Sequence, residues 1–169
     1  MNLARMSAME QIKKIREATG AGILDVKKAF EEARGDEAKT LELLRKRGQD
    51  KAAKKSGRET GEGIIAVYLH SNHKIGALVK LTCETDFVAR NEEFKEFGKD
   101  LAMHVSAFAP LALRPEEITG EAAAQAQELA LLSQAFLKDP SKTVSEVLTE
   151  KIHKMGENIQ IGGFVRYEV

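Results

Sequence analysis

The stretch "GIIAVYLHSNHKIGALVKLTC", residues 63–83, contains two runs of mainly apolar and β-branched residues separated by four polar ones. Runs of this composition favour extended backbone, and the polar segment 71–74 has the length of a hairpin loop. We therefore predict two antiparallel strands, over 64–70 and 75–83. Because a lone hairpin is only marginally stable in water, a third strand and a covering helix are needed.

Later segments can complete this sheet. The closing segment "NIQIGGFVRYEV", residues 158–169, is predicted to be the third strand. Its apolar side chains are expected to alternate on one face: Ile159, Ile161, Val165, Tyr167 and Val169. A helix capped by Asn91 is predicted to cover the sheet with one apolar stripe, formed by Phe94, Phe97, Leu101, Val105 and Phe108.

Two further helices are predicted before the last strand. The Ala-rich segment 120–137 is expected to be one helix, with a thin apolar face at Leu129, Leu132 and Phe136. Pro140 is expected to end this helix. Thr143 and Glu146 have the spacing of a capping box and predict a helix that ends at Gly156.

The amino-terminal part of the chain predicts three short helices over 7–48. Ser7 and Glu10 form another capping box, and Asp36 can cap the third helix. Glycines are expected to end the three helices: those of "TGAG" at 19–22, Gly35 and Gly48. The predicted fold class is α+β, with a three-helix docking domain over 1–50, a basic linker over 51–62, and an α+β core with a three-stranded antiparallel sheet over 63–169.

Composition excludes several classes of protein. The 26 basic and 26 acidic residues cancel, so no net charge attracts the whole chain to nucleic acid or to a membrane. Its one cysteine cannot form an internal disulfide, which favours a reducing compartment. The first residues lack the apolar run of a signal peptide, and no run of about 18 apolar residues occurs. We expect a cytoplasmic protein with no membrane contact.

The residues that carry chemistry give little sign of a catalytic or metal site. His70, His73 and Cys83 provide three possible metal ligands without a fourth, so neither a metal nor a cofactor is predicted. The chain has no G-x-G-x-x-G motif and no phosphate-binding loop with its lysine, and side-chain catalysis is not expected. The linker lysines Lys51, Lys54 and Lys55 suit either a solvated helix or a stripe that binds RNA.

Phe87 is the residue whose role the pattern leaves open. It lies in "CETDFVARNEEF", residues 83–94, directly after three polar residues at the predicted end of a strand. One interpretation is that its ring folds back and closes the end of the sheet, as most Phe residues are buried. The other is that the chain has turned outward and presents the ring to a partner.

Five motifs, in order along the chain, resemble the signatures of the elongation factor Ts family, whose members exchange guanine nucleotide on elongation factor Tu. They are "REATGAGILDVKKAFEEARGD" (16–36), "CETDFVARNEEF" (83–94), "DLAMHV" (100–105), "KDPSKTV" (138–144) and "GENIQI" (156–161). The resemblance implies a ubiquitin-associated-like amino-terminal domain, an α+β core, and a nucleotide exchange factor of translation elongation rather than an enzyme.

The resemblance also implies roles for individual residues. Thr85, Asp86, Phe87 and Val88 match the family residues that intrude beside the Mg²⁺ and phosphate site of elongation factor Tu, with the Phe inserted as a wedge. The further residues implied to bind this partner are Arg16, Gly20, Ala21, Gly22, Asp25, Arg90, Asn91 and His104. Direct binding of nucleic acid is not expected.

Compact members of the family have a single core repeat and can form homodimers, so a homodimer is expected here. Over about residues 116–137 the chain is shorter than is usual in the family, which often has a helical hairpin there.

Overall fold

The computed structural model describes residues 7–169. Residues 1–6, which the sequence assigns to the first domain, lie outside the described residues. The helices are α1 Ala8–Thr19, α2 Ile23–Glu32, α3 Glu37–Lys55, α4 Asp86–Ala89, α5 Glu92–Phe108, α6 Ala126–Leu129 and α7 Val144–Met155. The strands are β1 Glu62–Leu69, β2 Ile75–Cys83, β3 Ala135–Phe136, β4 Asp139–Thr143 and β5 Ile159–Glu168. The predicted α+β class is confirmed.

Helices α1 to α3 form a small bundle, as the capping residues predict. Ser7 accepts a hydrogen bond from the backbone N–H of Glu10, whose carboxylate accepts one from Ser7 N–H in return, and Asp36 accepts from Lys39 N–H at 3.0 Å. The bundle has its own hydrophobic cluster: Ile12, Ile15, Ala21, Val26, Ala29, Phe30 and Leu44.

Helix α3 does not end at Gly48, as predicted, but continues to Lys55. Gly48 is buried, and a Cβ there would lie 4.0 Å from the Thr149 methyl group on α7, so the glycine allows a close approach of the two helices. The first five residues of the predicted linker 51–62 are therefore helical. The division into two domains at this linker stays a prediction.

The predicted three-stranded antiparallel sheet is confirmed, in the order β1-β2-β5. Val67 pairs with Leu78, and Leu78 pairs with Val165. Helix α5 covers one face with four buried members of its predicted stripe, while Phe108 at its end is about half exposed. Helix α7 packs on the same hydrophobic cluster.

Strand β5 changes face halfway along, contrary to the prediction. The register shifts between Lys80 and Leu81, which pair with Gly163 and Ile161, so Gly162 is an extra residue. Ile159 and Ile161 are buried as predicted, but beyond the bulge Phe164 and Arg166 pair with the buried Val79 and Ala77. Val165, Tyr167 and Val169 are consequently exposed on the opposite side.

The predicted helix over 120–137 is also wrong. Two 3-10 helices, Gly120–Gln125 and Leu131–Ser133, flank the single turn of α6, and β3 pairs with β4. The backbone of Leu131 donates instead to Ala112 O at 2.9 Å. Leu132 N–H likewise donates to Leu113 O at 3.1 Å, and Ala130, Leu131 and Phe136 are buried, so tertiary contacts replace the regular hydrogen bonds of a helix in this segment.

The sheet face opposite α5 is apolar and uncovered by the described residues. We call it the open sheet face and define it by its exposed apolar side chains: Ile65, Val67, Leu69, Leu78, Val165 and Tyr167. At one end, a shallow groove of about 360 Å³ lies between residues of β1, β2 and the chain end. Within residues 7–169, none of the helices combines the length and the apolar character of a membrane span.

Candidate functional site

The segment after β2 presents two side chains to solvent from an anchored turn. Thr85 is the N-cap of α4, and its hydroxyl accepts a hydrogen bond from Val88 N–H at 3.4 Å. Val88 is buried, whereas Asp86 is exposed and Phe87 is 81% exposed. The interpretation of Phe87 as a buried plug is therefore wrong. An aromatic ring this exposed is unusual in a soluble protein and is typical of a binding surface.

Two carboxylates hold this turn against the loop between α7 and β5. One Glu157 oxygen accepts hydrogen bonds from the backbone N–H groups of Glu84 and Thr85, at 3.1 and 3.0 Å. The other accepts from the Thr85 hydroxyl at 2.6 Å. In return Glu84 accepts from Asn158 N–H at 2.6 Å and pairs with Arg58 at 3.4 Å. The Asn158 N–H bond, followed by the charge of Arg58, lowers the pKa of Glu84.

Cys83 lies beneath the turn and belongs to the core. Its Sγ donates to Thr85 O at 3.2 Å, and burial, together with the negative charge of Glu157, raises the pKa of the thiol to about 11. The thiol is therefore protonated at neutral pH and is a poor nucleophile. Among residues 7–169, no group of three or more His, Cys, Asp or Glu side chains is arranged to hold a metal ion.

The residues that follow the turn are also exposed. Arg90 forms an ion pair with Asp86 at 3.1 Å, in which both side chains are more than half exposed, so the pair contributes little to stability. Asn91 caps α5 by accepting from Glu93 N–H at 2.8 Å, as its sequence position predicts.

The amino-terminal signature forms the connection between α1 and α2. Gly20 has the positive φ of 66° that ends α1, and its N–H donates to Arg16 O at 2.8 Å. Ala21 is buried, and Gly22 is the N-cap of α2. Asp25 binds Lys51 at 2.7 Å, and this hydrogen bond lowers the pKa of Asp25.

Sequence reasoning missed two apolar residues at this connection. Ile23 and Leu24, in the first turn of α2, are exposed, although both lie within the amino-terminal motif. Exposed apolar residues at a helix start give this surface a contact area that the glycines lack.

The two signatures are linked through α7. A Cβ at Gly20 would lie 3.0 Å from the Lys154 side chain, so Gly20 and Lys154 are in close contact. The Lys154 ammonium binds Glu93 at 2.7 Å, and Lys151 binds the same carboxylate at 2.7 Å. Glu93 follows Asn91 by two residues, and the chain of contacts thus runs from the first signature to the second.

His104 is separate from both groups because it is fully buried. Its Nδ1 accepts from Leu137 N–H at 3.2 Å, so the ring proton is assigned to Nε2, which donates to Gln134 Oε1 at 3.0 Å. Burial lowers the pKa of His104, and its ring stacks on Phe136 and contacts Phe108. In this conformation it anchors the segment 134–137 to α5 and has no surface for a partner.

The basic segment at the end of α3 and just after it, residues 46–58, is partly neutralised within the chain. Lys51 binds Asp25, Arg47 binds Glu32 and Arg58 binds Glu84. Fewer charges are consequently available to replace counterions on a nucleic acid, which weakens the case for an RNA-binding stripe.

Comparison of the sequence with known proteins identifies one family. A family model described as "Elongation factor TS" matches residues 2–128. "Elongation factor Ts" of Rubrobacter xylanophilus is 44% identical over 191 aligned positions, covering 95% of this chain and 98% of the relative. The chain belongs to the elongation factor Ts family. The elongation factors Ts of Thermosipho melanesiensis and Thermotoga maritima are each 43% identical, covering 97% and 96% of this chain and 99% and 96% of their own length.

Membership of the elongation factor Ts family makes this chain a protein of translation elongation. The first alignment has 191 positions against a chain of 169 residues, so at least 22 positions have no counterpart here. The family match also ends at residue 128, inside the segment predicted to be shortened.

Proposed function

We propose that the protein is a guanine nucleotide exchange factor for elongation factor Tu, which binds the GDP complex of its partner and promotes the release of GDP and its replacement by GTP. The observation that carries the proposal is the exposed pair Asp86 and Phe87 on a turn fixed by Glu157 and by the buried Val88. We expect the protein to act in the cytoplasm, where translation elongation takes place.

The exposed side chains of Phe87 and Asp86 are suited to different parts of nucleotide exchange. Burial of the Phe87 ring in a partner is worth about 1.5–3 kcal/mol, which helps to hold open a conformation that binds nucleotide poorly. The Asp86 carboxylate, brought near the Mg²⁺ ligands, disturbs the geometry on which phosphate binding depends. Thr85 and Val88 support the pair, Thr85 as a cap and Val88 as an anchor.

Exchange requires no side-chain catalysis. A factor that binds the nucleotide-free partner more tightly than the nucleotide-bound partner weakens nucleotide binding by the same ratio, because the two binding equilibria are linked. Excess GTP then refills the site.

The connection between α1 and α2 is the proposed second contact. Arg16, Gly22, Ile23 and Leu24 are exposed, and Asp25 is oriented by Lys51. Arg90 and Asn91 extend the surface around the wedge. His104, being buried, is proposed to act indirectly, by holding the segment 134–137 in place.

A homodimer is proposed through the open sheet face. Six apolar side chains are exposed there on three paired strands, and an uncovered apolar sheet surface of this kind is typical of an interface. A second copy is the proposed occupant, since pairing two such faces buries apolar surface of both chains at once.

The proposed exchange is tested by the release of fluorescent GDP from bacterial elongation factor Tu. Addition of the protein is expected to accelerate release in proportion to its concentration until saturation. A variant with Lys54→Ala and Lys55→Ala is expected to retain this acceleration. No acceleration by the folded protein contradicts the proposal, and salt-sensitive RNA binding lost in the lysine variant favours the RNA-binding alternative instead.

A further inference from the structure

Glu157 holds the backbone that leads into the exposed pair. Its side chain extends from the loop between α7 and β5, and its carboxylate accepts three hydrogen bonds from two consecutive residues, Glu84 and Thr85. These donors lie 72 and 73 residues away in sequence, so the contact connects the end of β2 to the start of β5.

The contact sets the conformation of Thr85. The hydroxyl has one proton, which it donates to Glu157 at 2.6 Å, and its oxygen is therefore free to accept from Val88 N–H. The backbone of Thr85 is extended, with φ −127° and ψ 154°, and the chain turns into α4 directly after it. The direction in which the Asp86 and Phe87 side chains project from the protein thus depends on the conformation of Thr85. Glu157, which lies outside the turn, fixes that conformation.

Without this carboxylate, the two backbone N–H groups and the hydroxyl lose their acceptor. The hydroxyl can then rotate away from Val88, which weakens the cap of a helix only four residues long. Because Val88 and Ala89 are buried, the turn is expected to stay attached but to reorient.

We propose that Glu157 is a positioning residue for nucleotide exchange, which fixes the approach of Asp86 and Phe87 to the partner without touching it. This inference rests on the proposed function. Because the Glu157 carboxylate bonds to Glu84 and Thr85 and not to the surface at Arg16 to Asp25, its loss is expected to affect the step after docking. A displacement of about 1 Å in such a group can lower a rate by about a hundredfold, and a loosened turn is expected to lower it by about tenfold.

The first experiment measures the turn without any partner. The chain contains no tryptophan, so Phe87→Trp provides a single tryptophan at the exposed position, which can be excited at wavelengths that Tyr68 and Tyr167 do not absorb. In this background Glu157→Ala is expected to increase the amplitude of nanosecond motion in time-resolved fluorescence anisotropy, and Glu157→Gln to increase it less, because its amide oxygen still accepts hydrogen bonds. The Gln variant keeps the side-chain size and serves if the Ala variant does not fold, as judged by circular dichroism.

Glu146→Gln is the matched control. Glu146 makes similar contacts at the other end of α7, where it accepts from Thr143 N–H at 2.9 Å and from the Thr143 hydroxyl at 3.2 Å. Its loss is expected to lower thermal stability while leaving the anisotropy of the Phe87→Trp fluorophore unchanged.

The second experiment measures GDP release at increasing concentrations of the protein with Phe87 intact. Glu157→Ala is expected to lower the maximal release rate by about tenfold, with a smaller loss for Glu157→Gln, and to change the half-saturating concentration by less than about twofold. Unchanged anisotropy, or a defect confined to the half-saturating concentration, overturns the inference. If the wild type gives no acceleration, the proposed function fails, while the anisotropy experiment still decides whether Glu157 orders the turn.

Discussion

At position 87 an aromatic ring is exposed while the backbone beneath it is fixed on both sides. Val88 and Ala89 anchor the turn in the core, and Glu157 holds its start. The exposed residue can therefore be changed without loss of the contacts that position it, so stability and binding are separable here.

Residue-level features were predictable where they are local. The capping residues Ser7, Asp36, Asn91 and Thr143 all act as caps, because each cap depends on contacts within three residues. The role of Glu157 was not predictable, since its donors are distant in sequence. The exposure of Phe87 was also undecided by pattern alone and was favoured only by the family resemblance.

A prediction at this scale concerns the protonation of His104. Burial lowers the pKa of His104 in the folded protein below its ordinary value of 6.5. Between the folded-state pKa and 6.5, the unfolded chain therefore binds more protons than the folded protein. The free energy of unfolding consequently falls as the pH drops below 6.5. Imidazole NMR is expected to show a neutral ring with its proton on Nε2 as the pH passes 6.5. A pKa at or above 6.5, or a proton on Nδ1, contradicts the geometry.

A second residue-scale prediction concerns Cys83. Since the thiol is buried and its pKa is about 11, iodoacetamide is expected to label it slowly in the folded protein at pH 8 and rapidly in urea. Cys83→Ser is expected to accelerate GDP release nearly as well as the wild type. Loss of function in this variant, with the fold intact, is the result expected of a thiol enzyme.

At the scale of elements, the hairpin and the three-stranded order follow from sequence, but the local course of β5 does not. The pattern of alternating residues shows that a strand is present, whereas a bulge at Gly162 reverses which residues face the core. The segment 120–137 has good helix formers, yet buried tertiary contacts at Leu131 and Phe136 decide its structure.

The bulge gives a prediction for β5. Gly163 has a φ of +147°, which residues with a Cβ rarely adopt, so Gly163→Ala is expected to lower the free energy of unfolding by about 1–3 kcal/mol. Gly57→Ala is the control, because no atom lies within 4 Å of the added Cβ and its backbone requires no positive φ. Urea unfolding measures the free energy of unfolding of both variants. Equal values for the two would show that a side chain at position 163 does not strain the bulge.

At the scale of the whole molecule, one face of the sheet is packed and the other is open. Helix α7 joins the amino-terminal bundle to the turn. It contacts α3 near Gly48 and Gly20 through Lys154, and Glu157 lies two residues after its last residue, Met155. The proposed docking surface and the proposed wedge are thereby connected by one element. The open sheet face lies on the opposite side of the sheet from α5 and is available to a second copy.

The proposed homodimer gives a prediction for this face. Leu78 lies at the centre of the open sheet face, between Val67 and Val165. Leu78→Glu is expected to shift the protein from dimer to monomer in sedimentation equilibrium, because the dimer would bury a carboxylate that has no partner. Leu111→Glu, at an exposed apolar residue outside the face, is expected to leave the dimer intact. A wild-type protein that is monomeric at high micromolar concentration contradicts the proposal.

The most direct test of the central claim compares the maximal rate of GDP release from elongation factor Tu for the wild type, Phe87→Ala and Leu111→Ala. Both variants remove an exposed apolar side chain and are expected to fold with stability close to that of the wild type. Phe87→Ala is expected to lower the maximal rate by about tenfold or more, the equivalent of losing the burial of one Phe, whereas Leu111→Ala keeps it. Equal maximal rates for Phe87→Ala and the wild type would contradict the role of Phe87 as the wedge.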